Sequence, residues 1–220
     1  MEERRSWSTR VTHAAERART DGVLMVSILL LRQVLEKIGI YFNPFYYMRE
    51  QIPAAISPEL KELEDGLEFS VFGRDELEVI AHHSERCEIA EAYVYGNYNA
   101  GDTCLGCKCG GEIAGFSWYS LTASRDWYYK AAMKENEAYL FDMFVFKAYR
   151  RRQISQLLRI KCYQQLRSMG RDTCYSISDY TNRASLEFKK KLQAQKVFLG
   201  LHLQFGEKWQ RSWVLKRYPV

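Results

Sequence analysis

The chain has 220 residues, 47% hydrophobic and 27% charged, with a formal net charge of +5. This is an ordinary globular composition, long enough for one sizeable core, and a mildly basic balance suits an anionic cofactor or substrate without arguing for nucleic acid. Six cysteines fall short of a disulfide scaffold, so the expected setting is reduced and cytoplasmic.

Residues 1–20, rich in Arg, Glu, Ser and Thr, read as a frayed helix or a disordered arm. Val23 to Leu31 is the most apolar stretch. It is far shorter than the roughly 20 residues that cross a bilayer. It also lies too far from Met1, with no small-residue cleavage site after it, to read as a signal peptide. Leu24, Ile28, Leu31, Leu35 and Ile38 fall on one face of a helix expected from Asp21 to Lys37, with Gly39 as its stop. That face would pack on the domain, or serve a membrane surface or a dimer contact.

Asn43 to Met48 reads as an aromatic linker, and Pro44, Pro53 and Pro58 punctuate this part of the chain. A boundary near Ser57 divides an N-terminal helical extension, 1–57, from a main domain, 58–220. Glu59 to Asp65 is expected as a short acidic helix, Leu67 to Phe72 as a strand and Asp75 to His83 as a helix. Cys87 to Tyr98 would extend that helix or form a second one, ended by Gly96 and Asn97. Thr103 to Cys109 and Glu112 to Leu121 form a hairpin turning at Gly110-Gly111. A polar connection from Arg125 to Asn136 holds Trp127, Tyr128 and Tyr129. Strands are further expected at Thr173–Ile177, Lys196–Phe205 and Trp209–Tyr218, and a helix at Asn182–Leu192.

Between these lies the segment that organises the chain, FDMFVFKAYRRRQISQLLRIKCYQQL, Phe141 to Leu166. An apolar run broken only by Asp142 suits a strand covered on both faces. Ile154, Leu157, Leu158 and Cys162 then recur at helical spacing, with Gln, Arg and Lys between them. Arg150, Arg151 and Arg152 stand at the junction. A helix start offers unpaired N–H groups and the positive end of the dipole, and arginines add bidentate donors. Phosphate or pyrophosphate is the ligand this pattern favours; a solvated basic turn is the plain alternative.

Asp142, Met143, Phe144, Val145, Tyr149, Arg150, Ile154, Ser155 and Leu158 resemble the acyl-CoA-binding motif of the GNAT superfamily of N-acetyltransferases, D-[LM]-x-V-x-x-x-[YF]-R-G-x-G-[IV]-[GA]-x-x-L. The chain is identified as a divergent member, because Arg151 and Gln153 stand where that motif has glycine. A second segment, with Asn182, Ser185, Leu186, Phe188, Lys191 and Leu192, resembles the later family pattern N-x-x-A-x-x-[FLY]-Y-x-K-L-G-F. Lys189 replaces its tyrosine, and Gln193-Ala194 its Gly-Phe.

The resemblance implies an α/β (α+β) fold: a mixed, mostly antiparallel sheet flanked by helices and splayed near Val145. It implies acyl transfer from acetyl-CoA to an amine-bearing small molecule or peptide by direct attack on the thioester. No metal is expected. Met143, Phe144, Val145, Arg150, Arg151, Arg152, Gln153, Ile154, Ser155, Asn182 and Ser185 would bind the donor. Tyr93, Tyr95 and Tyr98 would line the acceptor pocket. A buried Asp142 would act as general base, or be bound to a backbone amide or an arginine. Asn182 could also cap its helix. Lys189, in the tyrosine's place, could protonate the departing thiolate, leave that to solvent, or mark lost activity. The alternatives are a non-catalytic GNAT-fold binding or regulatory module and an acyltransferase using a long-chain donor. A homodimer is a further expectation.

Cys104, Cys107 and Cys109 invite a zinc site, with Cys87, His82 or His83 as the fourth donor. The spacing is incomplete, and free thiols are the favoured reading. His82-His83, near a helix end, reads as structural or solvated rather than catalytic.

Overall fold

In a computed structural model, Gly110 and Gly111 take φ of 59° and 84° and join β3 (Thr103–Cys109) to β4 (Glu112–Ser120). Two left-handed residues match the twist of paired strands, so this hairpin is set locally. The structure describes residues 22–52, 64–86, 91–126, 129–206 and 209–219. The arm at 1–20, Pro53, Pro58, the boundary near Ser57, most of the acidic helix before Asp65, Cys87, Trp127 and Tyr128 lie outside them.

In chain order the other elements are α1 (Val23–Glu36), β1 (Ile40–Gln51), β2 (Leu67–Val71), α2 (Arg74–His82) and α3 (Glu91–Asn99). After the hairpin come β5 (Glu137–Val145), α4 (Ile154–Ser168), β6 (Thr173–Asp179), α5 (Arg183–Lys191), β7 (Gln195–Phe205) and β8 (Trp209–Arg217). Among the described residues the fold is mixed α/β, with an eight-stranded, mostly antiparallel sheet.

Contacts divide the chain into two units: Arg49–Ser176, and the described parts of Met1–Met48 with Ile177–Val220. In the first, β2, β3, β4 and β5 pair antiparallel in succession, and β6 pairs parallel with β5. Helix α4 buries Ile154, Leu157, Leu158, Cys162, Tyr163 and Leu166. Cys162, Tyr163 and Leu166 join a core with Ile52, Leu105, Tyr119, Ala138, Leu140 and Cys174. Each large apolar side chain so buried contributes about 1.5–3 kcal/mol. Gly106 is required here: a Cβ would sit 1.8 Å from the Phe72 ring.

A pair of opposite charges lies inside this core. The Glu50 carboxylate, fully buried, accepts hydrogen bonds from the Tyr163 hydroxyl and from Ser176 Oγ at 2.5 Å. Arg159 Nε stands 3.6 Å from it. The helical pattern makes Arg159 one of the polar residues between apolar positions; instead it turns inward, because Glu50 supplies the counter-charge that makes burial tolerable. Burial pushes the Tyr163 hydroxyl far up, and the Glu50 charge adds to this.

In the second unit, Phe198 stacks on Tyr47 and meets Phe45 edge-on, with ring centroids 5.1 and 6.1 Å apart. The Phe45 ring occupies the space over Gly200, where a Cβ would be 2.4 Å away.

Three expectations need correction. Asn43 to Met48 is not a linker but the middle of β1, with all six residues buried. Pro44 lacks only its own N–H, and its carbonyl still accepts from Tyr180 N at 2.9 Å. Helix α3 does not end at Gly96-Asn97 but runs on to Asn99; an interior glycine costs a helix about 1 kcal/mol without stopping it. Helix α1 forms with a C-terminal turn through Gly39, φ 75°, yet Leu31 and Ile38 of its predicted inner face are exposed. A nearly continuous apolar run selects no single face, and among the described side chains of α1 Val26 is the one buried.

Candidate functional site

The strand β5 changes character half-way along. Its parallel pairing with β6 consists of Glu137↔Thr173, Ala138↔Cys174 and Tyr139↔Tyr175. From Leu140 onward this edge of β5 has no ladder partner in β6. On the other edge Phe116 pairs with Phe144 and Trp118 with Phe141, so Asp142 and Met143 together face Ser117. That is a β-bulge. Asp142 takes φ 41° within it.

The bulge is held by a charge. Arg86, in a single 3-10 turn Ser84–Arg86, places Nη2 2.9 and 2.7 Å from the two oxygens of Asp142. Its guanidinium lies over the rings of Phe144 and Phe116, at 4.8 and 5.2 Å. Arg86 is 8% exposed and Asp142 14%. Burial pushes the Asp142 carboxyl up, Arg86 pulls it down, and the net direction is upward. The Tyr93 hydroxyl of α3 is likewise pushed up, by burial and then by the Asp142 charge, and so is the Cys104 thiol. Asp142, Arg86, Tyr93 and Cys104 therefore share one electrostatic neighbourhood.

The same turn grips the loop after β5. Both Glu85 carboxylate oxygens accept from Lys147 N at 3.1 Å, and Glu85 lies 3.6 Å from Arg150 Nη2. The His83 ring packs on Phe146 with centroids 4.1 Å apart. Phe146 N donates to Ala114 O at 3.0 Å, across to β4. In a trans peptide the preceding carbonyl points the opposite way. Val145 O thus faces away from β4, and Arg150 Nε donates to it at 3.0 Å.

The loop closes onto α4 through two left-handed residues. Arg151 has φ 66° and Gln153, the N-cap residue, φ 56°. No hydrogen bond among the described residues uses the amide N–H of Arg151, Arg152, Gln153, Ile154 or Ser155; the first amide of α4 with an acceptor is Gln156 N, to Gln153 O at 2.9 Å. These successive free amides, with left-handed backbone at Arg151 and Gln153, make a nest suited to an anion, here at the positive end of a 15-residue helix. Ile154 is buried and anchors the helix start; Arg150, Arg151, Arg152 and Gln153 are exposed. Arg152 Nη1 lies 3.8 Å from Cys109 Sγ. Cys104 and Cys107 are buried free thiols.

The remaining sequence candidates belong to the other unit. Asn182 caps α5, its Oδ1 accepting from Ser185 N at 3.0 Å. Ser185 Oγ is 2.7 Å from Ser178 Oγ. Lys189 is buried despite its charge. Back in the first unit, Tyr95 lies under Arg74 at 5.4 Å, and Tyr98 is exposed. Of the histidines in the zinc reading, His82 is exposed, with Nδ1 2.9 Å from Glu78 O.

Sequence reasoning missed Arg86, Glu85 and the Glu50–Arg159 pair. Arg86 lies in SERC, a polar stretch with no helical or strand period.

A family model, the acetyltransferase (GNAT) family, matches residues 68–193, more than half of the chain. The chain belongs to the GNAT family. Solved structures agree on the fold. A conserved Staphylococcus epidermidis protein of unknown function superposes with a TM-score of 0.54 at 10% identity, over 81% of this chain and 67% of that one. A GNAT-family protein of Novosphingobium aromaticivorans gives 0.51 at 16% identity, over 76% and 68%. A tandem GNAT protein of the clavulanic acid biosynthesis pathway gives 0.51 at 11%, over 83% of this chain and 56% of its own length. No curated protein matches the chain at a significant level. Within the GNAT frame, Arg151 and Gln153 hold the backbone conformation that glycine adopts easily at those two motif positions.

Proposed function

We propose that this GNAT protein is an acetyl-CoA-dependent N-acetyltransferase of the cytoplasm. The observation that carries the reading is the nest of free amides from Arg151 to Ser155 at the start of α4. Five free donors with Arg150 and Arg152 beside them suit the diphosphate of a CoA ester. The open edge of β5 at Met143, Phe144 and Val145 suits an extended amide-bearing chain such as pantetheine, which would pair with backbone groups there. On binding, Arg150 would leave Val145 O to the donor and turn to phosphate.

The chemistry needs a base and an acid. An amine acceptor loses a proton and attacks the thioester carbonyl; the tetrahedral intermediate collapses, the C–S bond breaks, and CoA leaves as thiolate. Asp142 is the proposed base, with a carboxyl pushed upward by burial and aimed by Arg86. Lys189 is the proposed proton source for the thiolate. Asn182 and Ser185 are proposed to contact the pantetheine arm. The acceptor is an amine-bearing small molecule or peptide, received on the side of Tyr93.

A second reading rests on a specific contact: Arg86 engages both Asp142 oxygens, which would disable a base and leave a donor-binding module without turnover. Calorimetric titration with acetyl-CoA, CoA and palmitoyl-CoA tests the donor site, and a screen of amines tests turnover. Binding should weaken about tenfold or more in Arg150→Ala/Arg152→Ala. Failure to bind any of the three refutes the proposal; binding without turnover favours the module; preference for palmitoyl-CoA favours a long-chain donor.

A further inference from the structure

The β8 strand ends its sheet, paired with β7 on one side and with no strand on the other among the described residues. From Trp209 to Val214 its register with β7 is unbroken, Trp209↔Phe205 through Val214↔Gly200. Beyond that Leu215 is extra, a bulge, and Lys216 pairs with Leu199. Directly opposed residues share a face. Trp209, Arg211, Trp213 and Lys216 therefore stand in line beside Phe205, Leu203, Leu201 and Leu199. All four of the β8 residues are exposed, Trp209 by 48%. The outward N–H and C=O groups of β8 form an open row, of the kind that recruits another strand.

The charge of this edge has one sign. β8 holds Arg211, Lys216 and Arg217, β7 holds Lys196, and neither strand contains Asp or Glu. Glu207 and Lys208, between the two strands, add no net charge. Arg211 lies over the Trp213 ring at 5.7 Å, and Lys216 over the Tyr218 ring at 5.2 Å. None of the three β8 cations makes an ion pair among the described residues.

We infer that β8 is a docking edge for an acidic peptide segment in extended conformation, added to the sheet as a further antiparallel strand. Main-chain hydrogen bonds to the open row would hold it, and its side chains at alternate positions would select it. Cross-strand pairing sets the pattern: an acid opposite Arg211, and apolar or aromatic residues opposite Trp209 and Trp213. Further acids preceding these would meet Lys216 and Arg217 past the bulge. A second copy of β8 brings no acid to any of those positions. A lipid surface would suit the tryptophans and the cations but would leave the row of backbone donors and acceptors unpaired.

Fluorescence anisotropy with the full chain and an end-capped, labelled peptide, Glu-Glu-Thr-Phe-Thr-Glu-Thr-Phe-Thr, tests this independently of the enzymatic reading. The peptide should bind saturably. Arg150→Ala/Arg152→Ala should bind it equally well, which separates β8 from the basic loop before α4. Arg211→Glu should weaken binding about tenfold or more, with an unchanged melting curve. A peptide with Lys in place of the Glu between the two Phe residues should restore binding to that variant. Successive N–H groups of an extended strand point to opposite edges. N-methylation of the two Phe residues and the Glu between them therefore blocks one edge, and N-methylation of the Thr residues blocks the other. One set should abolish binding and the other spare it. Four results would overturn the inference: equal effects of the two sets, undiminished binding by Arg211→Glu, loss of binding in Arg150→Ala/Arg152→Ala, or a wild type that binds phosphatidylserine vesicles but not the peptide.

Discussion

Gln153→Gly should stabilise the protein or leave it unchanged, although a glycine placed beside a helix ordinarily costs stability. Gln153 holds φ 56° and has no hydrogen-bonding partner for its side chain among the described residues. The left-handed conformation costs an L-residue about 1–2 kcal/mol. Glycine removes that cost but adds about 0.5–1 kcal/mol of unfolded-state entropy. The net expectation is a gain of roughly 0–1.5 kcal/mol. Gln153→Val tests the other direction: a β-branched residue at positive φ is a strong outlier. It should lose about 1 kcal/mol or more and, by distorting the nest, bind acetyl-CoA more weakly. Urea unfolding monitored by tryptophan fluorescence gives the stabilities, and calorimetry gives the affinities. A Gln153→Gly variant less stable by about 1 kcal/mol, or a Gln153→Val variant that is neutral in both assays, would show that the loop does not depend on this backbone geometry.

Arg86→Gln removes the cation from a pair with little exposure and should cost roughly 3 kcal/mol in chemical denaturation. It should also raise the Asp142 pKa further. In the wild type that carboxyl already lies above 3.8 in the folded state. The folded protein therefore binds the extra proton, and this group's contribution to stability falls as pH rises from 3.8 through the raised value. If Asp142 is the base, the acid limb of the kcat/KM profile should move to higher pH in Arg86→Gln; an unmoved limb would remove Asp142 from that role. Gly106→Ala forces a Cβ into the Phe72 ring and should lose about 1–3 kcal/mol, read as a lower urea midpoint. Arg159→Met takes away the cation paired with buried Glu50 and should cost roughly 3–5 kcal/mol, while Glu50→Gln/Arg159→Met should recover much of it. Additive losses in the double variant would argue against direct coupling.

Local signals made much of this fold legible. Gly110-Gly111 dictates a two-residue turn, and the strands beside it begin and end within a residue of expectation. The apolar spacing of α4 and the sharp change of pattern at Arg150–Arg152 mark a strand, a loop and a helix start without reference to the rest of the chain. β1 was hidden because Pro44 reads as punctuation, whereas its neighbours Phe45 to Met48 have the composition of a strand buried on both faces. The inner face of α1 was not legible, since a run such as SILLL has no polar side to point outward.

What the sequence by itself determined was the order of the elements from β2 onward and the motif positions around Asp142 and Arg150, because those depend on neighbours a few residues apart. Tertiary structure decided what the charges do. Arg86 meets Asp142 across 56 positions, and Arg159 meets Glu50 from a helix that by pattern alone would leave it in solvent. It also decided that Arg151 and Gln153 take the left-handed backbone that their side chains disfavour. Local propensity opposes that choice by about 1–2 kcal/mol per residue, while Ile154 is anchored in the core beneath α4 and Phe146 on β4 at either end of the loop.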